Sequence, residues 1–107
     1  MLQESEIQQR FNLVQQAIGQ ATQACTPGAP AQLKDAIDKL DRQSGMAKEV
    51  LQSHDPARIV KCVDELEMLG DEAKRVCGTV AGQVPPKLKE AVVAVHDQLS
   101  DLKHKLH

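Results

Sequence analysis

The side chains that could do chemistry in this sequence are its histidines, its cysteines and its carboxylates. His54, His104 and His107 suit a metal ion best, because imidazole is a common ligand of transition metals. His104 and His107 are three residues apart, a spacing that can bring two imidazoles onto one face of a helix. These three histidines are therefore the candidates for a metal site, and a metal-binding or metal-responsive protein is the alternative function that the sequence offers.

Phosphoryl transfer through His96 and thiol chemistry are both disfavoured by the neighbouring residues. Asp97 follows His96 directly, and its negative charge would repel a phosphoryl group. Cys25, Cys62 and Cys77 have no metal-type spacing, so we interpret them as small apolar side chains in a reducing cytoplasm. Cys25 and Cys77 fall at corresponding ends of their segments, and whether they lie close together is left open.

The carboxylates do not form a recognisable catalytic pattern. A di-metal bundle needs inward-facing glutamates and Glu-x-x-His pairs, and no glutamate here has a histidine three residues later. No glycine-rich phosphate loop and no nucleophile elbow is present. The sequence therefore predicts no catalytic residue, no cofactor and no enzymatic activity.

Composition limits the partners that the chain could have. The formal net charge is -2, and Phe11 is the only aromatic residue. Nucleic-acid binding needs clustered lysine and arginine and is helped by aromatic stacking, so we expect none. No stretch approaches the roughly 18 apolar residues of a membrane span, and the first residues are polar and acidic. We expect a cytoplasmic protein that does not bind a membrane.

The elements that would position these side chains are four helices. Breaks fall at 26–30, at 53–56 and at 82–86, each with one or two prolines, and the second is the weakest of them. They predict one domain over 1–107 with helices at about 3–25, 30–53, 56–82 and 86–106. In each helix the apolar residues recur at alternating spacings of four and three, which keeps one stripe on a partner helix.

Short connections between such helices favour an antiparallel up-down-up-down four-helix bundle, in an all-α fold. The alternative depends on the second break. If Asp55 and Pro56 form only a kink, helices two and three fuse into a long rod, and an intertwined dimer is needed to cover its apolar stripe.

Two exposed surfaces could bind a protein partner. From Phe11 to Leu33 the sequence has no charged residue and no histidine, and charge depletion is typical of an interface core. Apolar residues also fall off the core stripes of the second and third helices, where Gly45 and Gly70 could mark close helix approach. The predicted partner-binding residues are Asn12, Leu13, Gln16, Gln20, Gln23, Met46 and Met68. The sequence thus predicts a protein-interaction or oligomerising helical module, with a homodimer through helix one as its assembly.

Overall fold

The computed structural model describes residues 3–25 and 28–106 and confirms the predicted all-α class with four helices. The helices are α1 (Glu4–Ala24), α2 (Ala31–Leu51), α3 (Pro56–Thr79) and α4 (Pro86–Leu106), with a short 3₁₀ helix at Ala81–Gln83. No strand occurs in these two described ranges. Both bounds of α4 and the start of α3 agree with the predicted ones, and the other bounds differ by one to three residues.

The second break separates two distinct helices. Asp55 caps α3, because its side chain accepts hydrogen bonds from the backbone N–H groups of Ala57 (3.1 Å) and Arg58 (3.4 Å). Pro56, which has no N–H to leave unsatisfied, is the first residue of the helix. Since α2 ends at Leu51 and packs against α3, the fused-rod alternative is wrong.

The third helix ends before its predicted limit at 82. Val80 has φ -117° and ψ 25°, which is outside the helical region. The Thr79 hydroxyl donates to the Val76 carbonyl at 2.8 Å, and side-chain bonds of this kind compete with continued helix. A 3₁₀ turn follows, in which Gln83 N–H donates to the Val80 carbonyl at 2.8 Å.

The helices pack as a bundle in which α1 contacts α4 and α2, and α3 contacts α4 and α2. The interior is aliphatic around Phe11, which is fully buried. Among the described residues Ser44 is the sole buried polar side chain, and its hydroxyl donates to the Asp41 carbonyl at 2.8 Å. The up-down-up-down direction of the helices stays a prediction.

The two glycines predicted to mark close helix approach, Gly45 and Gly70, differ in how near the neighbouring helix lies. A Cβ added to Gly70 would lie 3.1 Å from Cδ1 of Leu99 and 3.8 Å from Cα of His96, so α3 and α4 do approach closely there. A Cβ added to Gly45 would meet nothing within 4 Å. The prediction is confirmed for Gly70. It is wrong for Gly45, which is exposed and has no close neighbour from another helix.

Candidate protein-interaction site

The uncharged side of α1 is exposed along most of the helix. The buried residues of α1 include Phe11, Val14 and Ile18, and their three- and four-residue spacing places the intervening polar residues on the outside. We call the exposed set the α1 face. It consists of the five residues Asn12, Leu13, Gln16, Gln20 and Gln23. All five were predicted from the sequence, and the structure exposes every one of them.

Leu13 is the apolar residue of the α1 face, and its relative exposure is 45%. The glutamine amides beside it are available for new hydrogen bonds. In the part of the chain that the structure describes, the side chains of Gln16, Gln20 and Gln23 make none. Asn12 differs, because its Oδ1 accepts from Nε2 of Gln8 at 3.2 Å. The face therefore combines one exposed leucine with unpaired amide groups.

A charged pair closes one end of this face. Arg10, one turn before Leu13, lies 2.6 Å from Asp101 of α4. Asp101 is also 3.4 Å from Nζ of Lys105. The charged residues of α1 thus end at Arg10, and the rest of its outer surface is neutral.

A groove of about 590 Å³ lies between the second half of α1 and the first half of α4. The α1 side contributes Gln20, Gln23 and Ala24. The α4 side contributes the residues Lys87, Glu90, Ala91 and Ala94. The sequence did not reveal Ala24, Ala91 and Ala94 as site residues, because a depression made by small side chains exists only once two helices are paired.

Met46 and Met68 are both exposed, at 64% and 68%, as the sequence predicted. Met46 lines a groove of about 620 Å³ between α2 and α3, together with Arg58 and Cys62. Met68 lines a smaller neighbouring groove with Leu69. Gln43 and Glu65 line both grooves. The two methionines therefore belong to adjacent sites on the α2–α3 side, away from the groove between α1 and α4.

The histidine candidates for a metal site are only partly within the described structure. His104 is exposed in the last turn of α4, and His54 lies between α2 and α3 with φ 59°. His107 lies outside the described residues. In the ranges 3–25 and 28–106, no group of three or more His, Cys, Asp or Glu residues is arranged to hold a metal ion. Metal binding by these histidines stays a prediction.

His96 of α4 contacts two carboxylates. Its Nε2 lies 2.7 Å from Oδ1 of Asp71 in α3. Its Nδ1 lies 3.3 Å from Oδ1 of Asp97, the next residue of α4. The sequence singled out Asp97 but not Asp71, which comes from another helix. The contact with Asp71 joins α3 to α4 and fits a structural role for His96. A second cross-helix pair, Lys103 with Glu67 at 3.4 Å, joins the same helices.

The three cysteines are free thiols, with Cys77 buried and Cys25 and Cys62 half-buried. Burial raises the pKa of each thiol above its ordinary value of 9.0. Nearby charges add smaller effects on the pKa, and Glu65 raises that of Cys62 further. Because the thiolate is the reactive form, these cysteines are poorly suited to nucleophilic chemistry.

No protein-family model, no curated protein and no solved structure matches this chain. Within the described residues, no helix combines the length and the apolar character needed to cross a membrane.

Proposed function

We propose that this protein is a non-enzymatic helical module that binds proteins and that it self-associates through the α1 face. One observation carries the proposal. The α1 face is exposed and lacks any ionisable side chain, although charged residues dominate most solvent-exposed helix surfaces.

A second copy of the chain is the partner that this face fits best. In a two-fold interface the same patch meets itself, so a charged face would place like charges together. The α1 face avoids that repulsion. Each glutamine amide carries both a donor and an acceptor, so Gln16, Gln20 and Gln23 can pair with the same residue types on another copy. Leu13 adds apolar area that would leave water on association.

The character of the interior supports a role without catalysis. The described core is apolar apart from Ser44, whose hydroxyl is already bonded to the Asp41 carbonyl. Recognition by this protein is therefore proposed to take place on its outer surface. Met46 and Met68 stay predictions as partner-binding residues, on the other pair of helices.

We also propose a cytoplasmic location. The three thiols are free, and free thiols suit a reducing compartment. Fractionation of cells that produce the protein tests this, and recovery with secreted or membrane material would contradict it.

Sedimentation equilibrium of the purified chain tests the proposed self-association. We expect a reversible dimer for the native sequence and a monomer for Leu13→Lys, because the new charge would have to be buried against its own copy. Gln32→Lys is the matched control, since it adds the same charge at an exposed neutral residue of α2 on the side that faces α3. A monomeric native chain at every concentration, or equal loss of dimer in both variants, would refute self-association through α1.

A further inference from the structure

We infer that two copies dock by a reciprocal insertion, in which Leu13 of each copy enters the groove between α1 and α4 of the other. The inference rests on the self-association proposed above. It adds the register of the two helices and assigns a binding role to α4, which the sequence did not suggest.

Leu13 and the groove lie on the same side of α1. Gln20 and Ala24, which line the groove, follow Leu13 by seven and eleven residues. At 3.6 residues per turn these intervals are about two and three full turns, so the three side chains leave the helix within about 20° of one direction. The exposed leucine and the groove are then separated by roughly 10 to 17 Å along the helix axis, at 1.5 Å per residue.

A protrusion and a depression offset along one face can match in a two-fold interface, because each copy then supplies each of them once. With the two α1 helices antiparallel and the two-fold axis at the level of residue 18, Leu13 of one copy lies opposite Gln23 of the second copy, one residue from Ala24. In the same register Gln16 lies opposite Gln20 of the second copy.

The chemistry of the groove suits an aliphatic side chain. Ala24, Ala91 and Ala94 provide methyl groups along its walls, which would contact the inserted leucine and remove it from water. Lys87 and Glu90 are also lining residues. Their aliphatic stems can cover the leucine while their charged ends stay in water.

The face supplies polar pairing beside this apolar contact. Gln16 and Gln20 can each donate and accept across the axis, and the pair occurs twice by symmetry. Hydrogen bonds of this kind fix the register of the two helices. A shift by one residue would place opposite each glutamine a residue that points about 100° away from it.

Two variants that each remove one half of the insertion provide the test. Leu13→Ala removes the inserted side chain and keeps the groove. Ala94→Arg keeps Leu13 and fills the groove with a long charged side chain, and Ala94→Gln serves if the arginine variant fails to fold. Each variant alone forms a dimer with no intact insertion, so we expect its self-association to weaken by about tenfold or more.

Mixing the two variants decides the matter. A mixed dimer contains one intact insertion. In it, Leu13 of the Ala94→Arg copy enters the open groove of the Leu13→Ala copy. We expect its dissociation constant, measured by native mass spectrometry, to lie about halfway on a logarithmic scale between the native and single-variant values. Ser100→Arg, which adds charge to α4 on its other side, is the matched control and should leave the dimer unchanged.

The outcomes separate this inference from the proposal on which it rests. A monomeric native chain overturns both. A native dimer whose two variants fail to recover association on mixing overturns the reciprocal insertion and leaves self-association through α1 in place. Weakening of the dimer by Ser100→Arg as strong as that by Ala94→Arg also overturns the role given to the groove.

Discussion

Gly70 of α3 faces Leu99 of α4 so closely that a Cβ on Gly70 would lie 3.1 Å from Cδ1 of the leucine. Leu99 is fully buried, so its side chain has little room to move away. The close approach of α3 and α4 therefore depends on the missing methyl group at Gly70. Gly45 has no such neighbour, and the two glycines form a natural comparison.

We expect Gly45→Ala to raise the free energy of unfolding by about 0.5–1 kcal/mol, because alanine loses less backbone entropy in a helix interior. Gly70→Ala gains the same helix propensity but must displace Leu99. We expect it to be less stable than Gly45→Ala by about 1–3 kcal/mol, the usual cost of overpacking. Urea unfolding followed by circular dichroism measures both values, and equal effects of the two substitutions would contradict the close approach.

Loss of the α3 cap should weaken the fold locally. Asp55→Ala removes the acceptor of two backbone N–H groups, so we expect a loss of about 1 kcal/mol in the free energy of unfolding. Asp55→Asn keeps an acceptor oxygen and should lose much less. If the two variants were equally destabilised, the hydrogen bonds to Ala57 and Arg58 would not be the source of the stability.

Truncation of the sole aromatic side chain should be among the costliest single changes. Phe11 is fully buried beside aliphatic residues of the core. We expect Phe11→Ala to lower the free energy of unfolding by about 3–5 kcal/mol and Phe11→Leu to lower it far less. Denaturant titration measures the loss. A loss below about 1 kcal/mol for the alanine variant would mean that Phe11 is not a core residue.

The thiols should make stability fall at alkaline pH. Burial raises the pKa of Cys62 in the folded state above 9.0, so the folded chain holds this proton more tightly than the unfolded chain. The resulting stability is complete below pH 9.0 and is lost as pH rises through the raised folded-state pKa.

The comparison that isolates this effect is between the native chain and Cys62→Ala. We expect the free energy of unfolding of the native chain to fall more steeply between about pH 8 and pH 10 than that of the variant. Parallel pH profiles would show that the Cys62 thiol is no better shielded in the folded chain than in the unfolded one.

The helices and their boundaries were readable from the sequence because their causes are local. The Asp55–Pro56 pair supplies a cap acceptor and a residue that needs no donor, and each effect acts within one turn. The early end of α3 at Thr79 was missed, since the helical residue pattern continues through Val80. The deciding event there is a change of backbone dihedral angles rather than a strong breaker residue.

Only the α1 part of the candidate site could be predicted from the sequence, for a different physical reason. Exposure of Leu13 and the neighbouring glutamines follows from the position of the core stripe on the same helix. The groove at Ala24 and Ala94 depends on two helices meeting at one register, as do the contact of Asp71 with His96 and the difference between Gly45 and Gly70. Spacing within one helix carries no information about the residues that stand opposite on the next.

The lack of charge on α1 also determines which reagents can report on it. Trypsin cleaves after lysine or arginine, so the stretch from Phe11 to Lys34 leaves digestion as one peptide that carries the whole α1 face. Amine-directed cross-linkers and carboxyl-labelling reagents find nothing to modify between Arg10 and Lys34. Footprinting with these reagents would not report on the α1 face even if a second copy covered it fully. Amide hydrogen exchange with pepsin digestion can detect such coverage.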